Sequence, residues 1–182
     1  MDKIRRFLNG VRPGRKVIPT RKFILFCFLF LFFGASMGAL SKLGDVYLFR
    51  IGEVTSRMGI WIMLGVIICA FTKHPIRAAA YEFLFCAGMI AAYYSTAAIG
   101  GFYYSKPYIT YWSVFSLFTP LFSFFAWYAR GRGAFAWFLR IGILLAMLGF
   151  AFIFGAGISD IVFAVIILFV TLKKTKDQKG QT

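Results

Sequence analysis

The chain has 182 residues, of which 60% are hydrophobic, 20% aromatic and only 15% charged, and its mean hydropathy is +0.77. A soluble domain of this length has too little interior to hide so much apolar surface, so the composition excludes a water-soluble globular protein and points to a membrane-embedded one. A net charge of +15, from 21 Lys and Arg against 6 Asp and Glu, would suggest nucleic acid in a soluble protein, but here the basic residues gather at the ends of apolar runs without any nucleic-acid motif.

One membrane domain is expected over residues 23–172, with a basic tail before it at 1–22 and another after it at 173–182. The first tail carries Pro13, Gly14 and Pro19 and is expected to lie disordered along anionic lipid headgroups. The first apolar run, Lys22 to Ser41, ends in small residues as a signal peptide does, but the basic segment before it is unusually long, so a retained span is expected. Gly34-x-x-x-Gly38 and Ala35-x-x-x-Ala39 give this span one narrow face for close helix approach, either inside the bundle or against a partner subunit.

The connection Lys42 to Arg57 places Arg50, Glu53 and Arg57 on one face of a helix, with Glu53 and Arg57 at favourable i,i+4 spacing. Val46, Tyr47, Phe49 and Val54 would face the membrane or the bundle, Asp45 would cap this helix and Ser56 the next. It reads either as an interfacial helix with a solvated charged face or as a lid over an outward-facing site.

The second run spans Met58 to Thr72 and the third Ala78 to Ile99, joined by a turn in which His74 is expected to be solvated. Tyr93 and Tyr94 lie on the third span, and Tyr103, Tyr104, Lys106, Tyr108, Tyr111 and Trp112 surround the loop that follows. These residues form an aromatic interfacial belt or a stacking cup for a planar ligand whose polar end meets Lys106, Arg50 or Asp45. The fourth run, Tyr108 to Ala129, is kinked by Pro120, with Ser116 placed to help satisfy the freed carbonyl.

The fifth and sixth runs are Ala134 to Phe154 and Ile158 to Leu172. The second and sixth are short for a bilayer and would tilt less or thin it. Two ionisable residues fall inside spans: Glu82 at a depth of about 6 Å and Arg140 at about 9 Å. Matched depth permits an ion pair; separate snorkelling to the headgroups, or a protonation role for Glu82, are the alternatives.

Alternating the loops puts seventeen basic residues on the side of both termini and only Lys42, Arg50, Arg57 and Lys106 on the other. The positive-inside rule then gives an all-α bundle of six transmembrane helices with both termini cytoplasmic. Cys27, Cys69 and Cys86 lie within apolar runs and read as small hydrophobes with no disulfide or metal role. His74 is the single histidine, the acids are scattered and no phosphate loop or zinc motif is present, so neither an enzyme nor a bound cofactor is expected.

Gly38-Ala39-Leu40-Ser41-Lys42-Leu43-Gly44-Asp45, Arg57-Met58-Gly59-Ile60-Trp61 and Trp127-Tyr128-Ala129-Arg130-Gly131-Arg132-Gly133 resemble small polytopic bacterial membrane proteins of unassigned function. More loosely, the span count and length resemble the substrate-binding S component of energy-coupling-factor vitamin transporters. That likeness implies that Ala35 and Ala39 dock a membrane coupling subunit and that outer loops cover a substrate. The expected function is a small-solute binding or transport subunit of the bacterial inner membrane, its ligand met by Asp45, Arg50, Glu53, Arg57, Tyr94, Tyr104, Lys106 and Tyr108. The alternative is a non-transporting scaffold or accessory subunit that holds a membrane partner through the first span.

Overall fold

A computed structural model describes residues 2–14, 19–55, 57–155 and 157–173, with the side chains of all of these except 2, 49–51 and 154. Within them all regular structure is helical: α1 (Asp2–Val11), α2 (Thr20–Tyr47), α3 (Phe49–Thr55), α4 (Met58–Phe71), α5 (Pro75–Ile99), α6 (Lys106–Tyr128), α7 (Ala134–Phe154) and α8 (Ile158–Leu172). Proline and glycine set several of these bounds. Pro75 opens α5, where its missing N–H belongs to a group that has no intrahelical partner anyway. Gly133 (φ 87°) and Gly155 (φ 91°) bracket α7 in a backbone region that disfavours any residue with a Cβ.

Helices α2, α5, α6 and α7 are long and apolar enough to cross a membrane, and α4 and α8 are shorter apolar helices. Their outer faces carry exposed large apolar side chains such as Phe28 and Phe32 on α2, Leu117 and Leu121 on α6, Leu145 and Leu148 on α7 and Val165 and Phe169 on α8. Such a belt is compatible with a protein immersed in lipid.

Helix α5 sits between α2 and α6, while α4 packs behind it against α6, α7 and α8. The α2–α5 contact is the closest in the molecule. A Cβ on Gly34 would lie 2.0 Å from the Phe85 carbonyl oxygen, one on Gly38 2.1 Å from that of Met89, and one on Gly88 2.3 Å from that of Leu31. The small-residue face of the first span is therefore occupied inside the bundle, with the Ala35 backbone nitrogen against Gly88 and Ala35 and Ala39 half-buried.

The C-termini of α4, α6 and α8 meet at one end, where three arginines satisfy carbonyls left over by the helices. Arg12 donates to the carbonyls of Trp127, Ala70 and Thr72. Arg130 donates to Ala70 and Lys173, and Arg140 to Ala129, Gly131 and Thr171. Cations also complement the negative ends of the helix dipoles there. Arg12 stacks 3.9 Å from the centre of the Trp127 ring, whose indole N–H donates to the Thr72 carbonyl at 2.8 Å.

Several expectations are corrected. Residues 2–11 of the basic tail are helical rather than disordered: Val11 is buried with Cys69, Ala78, Trp127, Tyr128 and Ala136, and Phe7 meets Phe135 edge-on at 5.6 Å. The first span does not stop at Ser41 but continues to Tyr47, because Ser41, Lys42 and Gly44 are buried against neighbouring helices instead of facing water. Asp45 thus lies inside α2. The N-cap position of α4 is Arg57; Ser56, expected there, lies outside the described residues. The third and fourth spans begin earlier than expected, at Pro75 and Lys106.

Candidate functional site

At the end opposite the arginines, the charged residues face one another. The break at Leu48 folds α3 back so that a Cβ on Gly52 would sit 2.7 Å from the Asp45 Cα. Tyr93 donates its hydroxyl to Asp45 Oδ2 at 2.6 Å. The Lys42 ammonium donates to the Tyr103 carbonyl at 2.9 Å and lies 5.2 Å from the Tyr93 ring centre. Glu53 and Arg57 do pair, at 2.9 Å, although Arg57 stands beyond α3. Arg57 also reaches Asp160 at 3.3 Å and the Gly155 carbonyl at 2.7 Å, clasping α3 to the start of α8. Glu53 first, then Asp160, raise the already high pKa of this guanidinium.

The expected ligand residues are therefore only partly assembled. Tyr94 meets Tyr93 and Tyr104 edge-on, at 5.2 and 6.1 Å. Lys106 and Tyr108 are exposed at the start of α6, and the Arg50 side chain lies outside the described residues. Asp45, Glu53 and Arg57 serve as ties between elements.

Below Tyr94, α5 and α6 separate into an open groove of about 340 Å³ lined by Ala87, Ile90, Ala91, Tyr94, Ile109, Ser113 and Ser116. One turn beyond Ser116, α6 carries Pro120. Pro120 has no N–H for the Ser116 carbonyl; the Thr119 hydroxyl takes that carbonyl at 2.7 Å. Ser116, which was expected to help, instead turns its own hydroxyl to the Ser113 carbonyl at 2.7 Å.

Beyond Thr119 the polar groups continue into the bundle. Cys86 stands between Thr119 and Glu82, and its thiol donates to Glu82 Oε1 at 3.7 Å. Glu82 is 6% exposed and presses on α4, where a Cβ on Gly65 would come within 2.7 Å of Oε1. Cys69 lies nearby with Ser123 beside it, and the Arg12 charge also acts on it. A seam of hydroxyls, thiols and one carboxyl thus runs from Tyr94 through α5, α6 and α4 towards the arginine end.

The pairing of Glu82 with Arg140 is not formed. Arg140 is committed to three backbone carbonyls, and Glu82 Oε2 is buried without a hydrogen-bond partner. Matched depth along two helices does not bring side chains to the same face, and here Glu82 faces α4 and the seam. The cysteines pack in the hydrophobic clusters as small apolar side chains would, and two of the three also flank this carboxyl. The signal that could have located the seam is the i,i+3/i+4 series Ser113, Ser116, Thr119, Ser123, which puts hydroxyls on one stripe of α6.

His74, at the N-cap of α5, is half-buried rather than solvated. Burial, and then the charge of Arg77, lower its pKa below the ordinary histidine value. No protein-family model, curated protein or solved structure matches this chain.

Proposed function

We propose that this protein is a six-span transport protein of a cell membrane, with both termini cytoplasmic, that binds a small amphipathic solute in the α5–α6 groove. The observation that carries this reading is the seam itself: polar groups from three helices aligned behind a groove midway between the two charged ends of the bundle. Polar side chains within a membrane are costly unless satisfied, and they mark solute and ion pathways. The groove volume falls at the lower end of small-molecule sites, at about 300–1,000 Å³. Its wall of alanine and isoleucine with Tyr94, Ser113 and Ser116 suits a solute with one apolar face and one or two hydrogen-bonding groups. The resemblance to S components points the same way, and the bacterial inner membrane is part of this proposal.

A broad metabolite screen for thermal stabilisation of the purified protein tests the reading, because a ligand that binds the native state raises its apparent stability. The expected result is a shift for a compact amphipathic compound that is lost in Ser113→Leu, which fills the groove from an exposed position. No shift across the panel, together with a membrane partner co-purifying in stoichiometric amount, favours an accessory subunit instead. The orientation is tested by labelling Leu48→Cys and Tyr104→Cys in a variant lacking the native cysteines. Both are expected to react from outside, and labelling only from the cytoplasm overturns the topology.

A further inference from the structure

We infer that Glu82 is a reversible proton-binding site in the interior of the bundle, with Oε2 as the atom that gains and loses the proton. Its burial in the α4–α5–α6 seam, with one oxygen held by Cys86 and the other left without a partner, carries the assignment. A buried carboxylate with an unmatched oxygen is expensive in a medium that water does not reach. Adding a proton to Oε2 neutralises it, while Oε1 keeps the thiol hydrogen bond. The proton comes from hydronium, leaving water, and returns to water on release. No redox step or other co-reactant is involved.

The surroundings favour a proton over a metal cation. The helix α4 backbone at Gly65 closes on the carboxyl so tightly that even a methyl group would collide with Oε1 at 2.7 Å. The donor on Glu82 is the Cys86 thiol, and the described residues hold no group of three acids, histidines or cysteines placed to share an ion. A proton needs none of that space. Cys86 on α5 donates to Glu82 and the Cys69 thiol on α4 lies close enough to feel its charge; on α6, Thr119 stands beside Cys86 and Ser123 beside Cys69. The Arg12 charge acts on Cys69. Arg140 is held by the carbonyls of Ala129, Gly131 and Thr171. The proton site stands by itself; only its use to couple a proton gradient to solute movement rests on the transport reading.

The sequence makes the test clean, because Glu53 and Glu82 are the only two glutamates. In full-length protein carrying Glu53→Gln, reconstituted in lipid and labelled with carboxyl-¹³C glutamate, every labelled side-chain carboxyl belongs to Glu82. Infrared difference spectra across a pH titration are expected to show an isotope-shifted carboxylic-acid carbonyl band. That band should give way to a carboxylate band as pH rises, and shift on transfer to deuterated water. Glu82→Gln should abolish both bands, but the assignment does not depend on that variant folding. A labelled carboxyl that stays ionised, or stays protonated, throughout the titration overturns the proposal. A titrating band in a protein that no solute stabilises would leave the proton site standing and remove the transport reading alone.

Discussion

Arg140 lies within an apolar helix yet pairs with no acid among the described residues. Its guanidinium collects the carbonyls of Ala129, Gly131 and Thr171, which would otherwise be left over by the ends of α6 and α8. Arg140→Met is therefore expected to lower stability by about 2 kcal/mol or more, the scale of hydrogen bonds made by a charged donor, as read from denaturant unfolding in detergent. Glu82→Gln combined with this change should behave additively, with a coupling below about 0.5 kcal/mol in a double-mutant cycle, because the two side chains share no partner. His74 gives a second test. Its pKa is lowered in the fold by burial and then by Arg77, so the unfolded chain binds the proton more readily. The stability that His74 contributes is present above the unfolded value of about 6.5 and is lost as pH falls from there through the lowered folded value. His74→Gln should flatten the acid side of a Tm-against-pH curve, and an unchanged curve would count against this account.

Among the helices, the α2–α5 contact is governed by Gly34, Gly38 and Gly88. Gly38→Ala should push the two backbones apart and cost about 1–3 kcal/mol, as overpacking does. Gly149→Ala, which meets nothing within 4 Å, should leave stability unchanged or raise it by about 0.5–1 kcal/mol through helix propensity. Thermal melts of both variants make the comparison, and equal effects would contradict the packing role. The bounds of α7 and α8 were legible in the sequence because Gly133, Gly155 and Gly157 punctuate apolar runs there. The far end of α2 was not: Lys42 and Asp45 look like loop residues until their partners, the Tyr103 carbonyl and the Tyr93 hydroxyl, are known. Helix α1 was hidden for a related reason, since arginines that read as a solvated tail alternate with Leu8 and Val11, which pack on the bundle. As for the site, the depth of Glu82 along its helix could be counted, but which neighbour it faced depended on helix rotation, which counting does not give.

For the molecule as a whole, α1 leaves Ile4 and Phe7 exposed beside Lys3, Arg5 and Arg6, the composition of a helix lying in the plane of anionic headgroups. Vesicles containing phosphatidylglycerol are therefore expected to stabilise the protein more than neutral ones, with Arg5→Gln/Arg6→Gln removing much of the difference. Equal Tm values in both lipids would remove α1 from the headgroup region. The arginine cluster that closes the same end has a consequence for biosynthesis. Arg12 binds the Trp127 carbonyl across 115 residues of sequence, while Arg130 and Arg140 wait for Lys173 and Thr171. Because a chain emerges from the ribosome N-terminus first, the earliest part made is fastened only by later ones. A nascent chain halted before residue 171 would have every Arg12 acceptor in place but would leave α8 unfinished and Arg130 and Arg140 each short of one carbonyl, so the last turn of α8 completes the cluster.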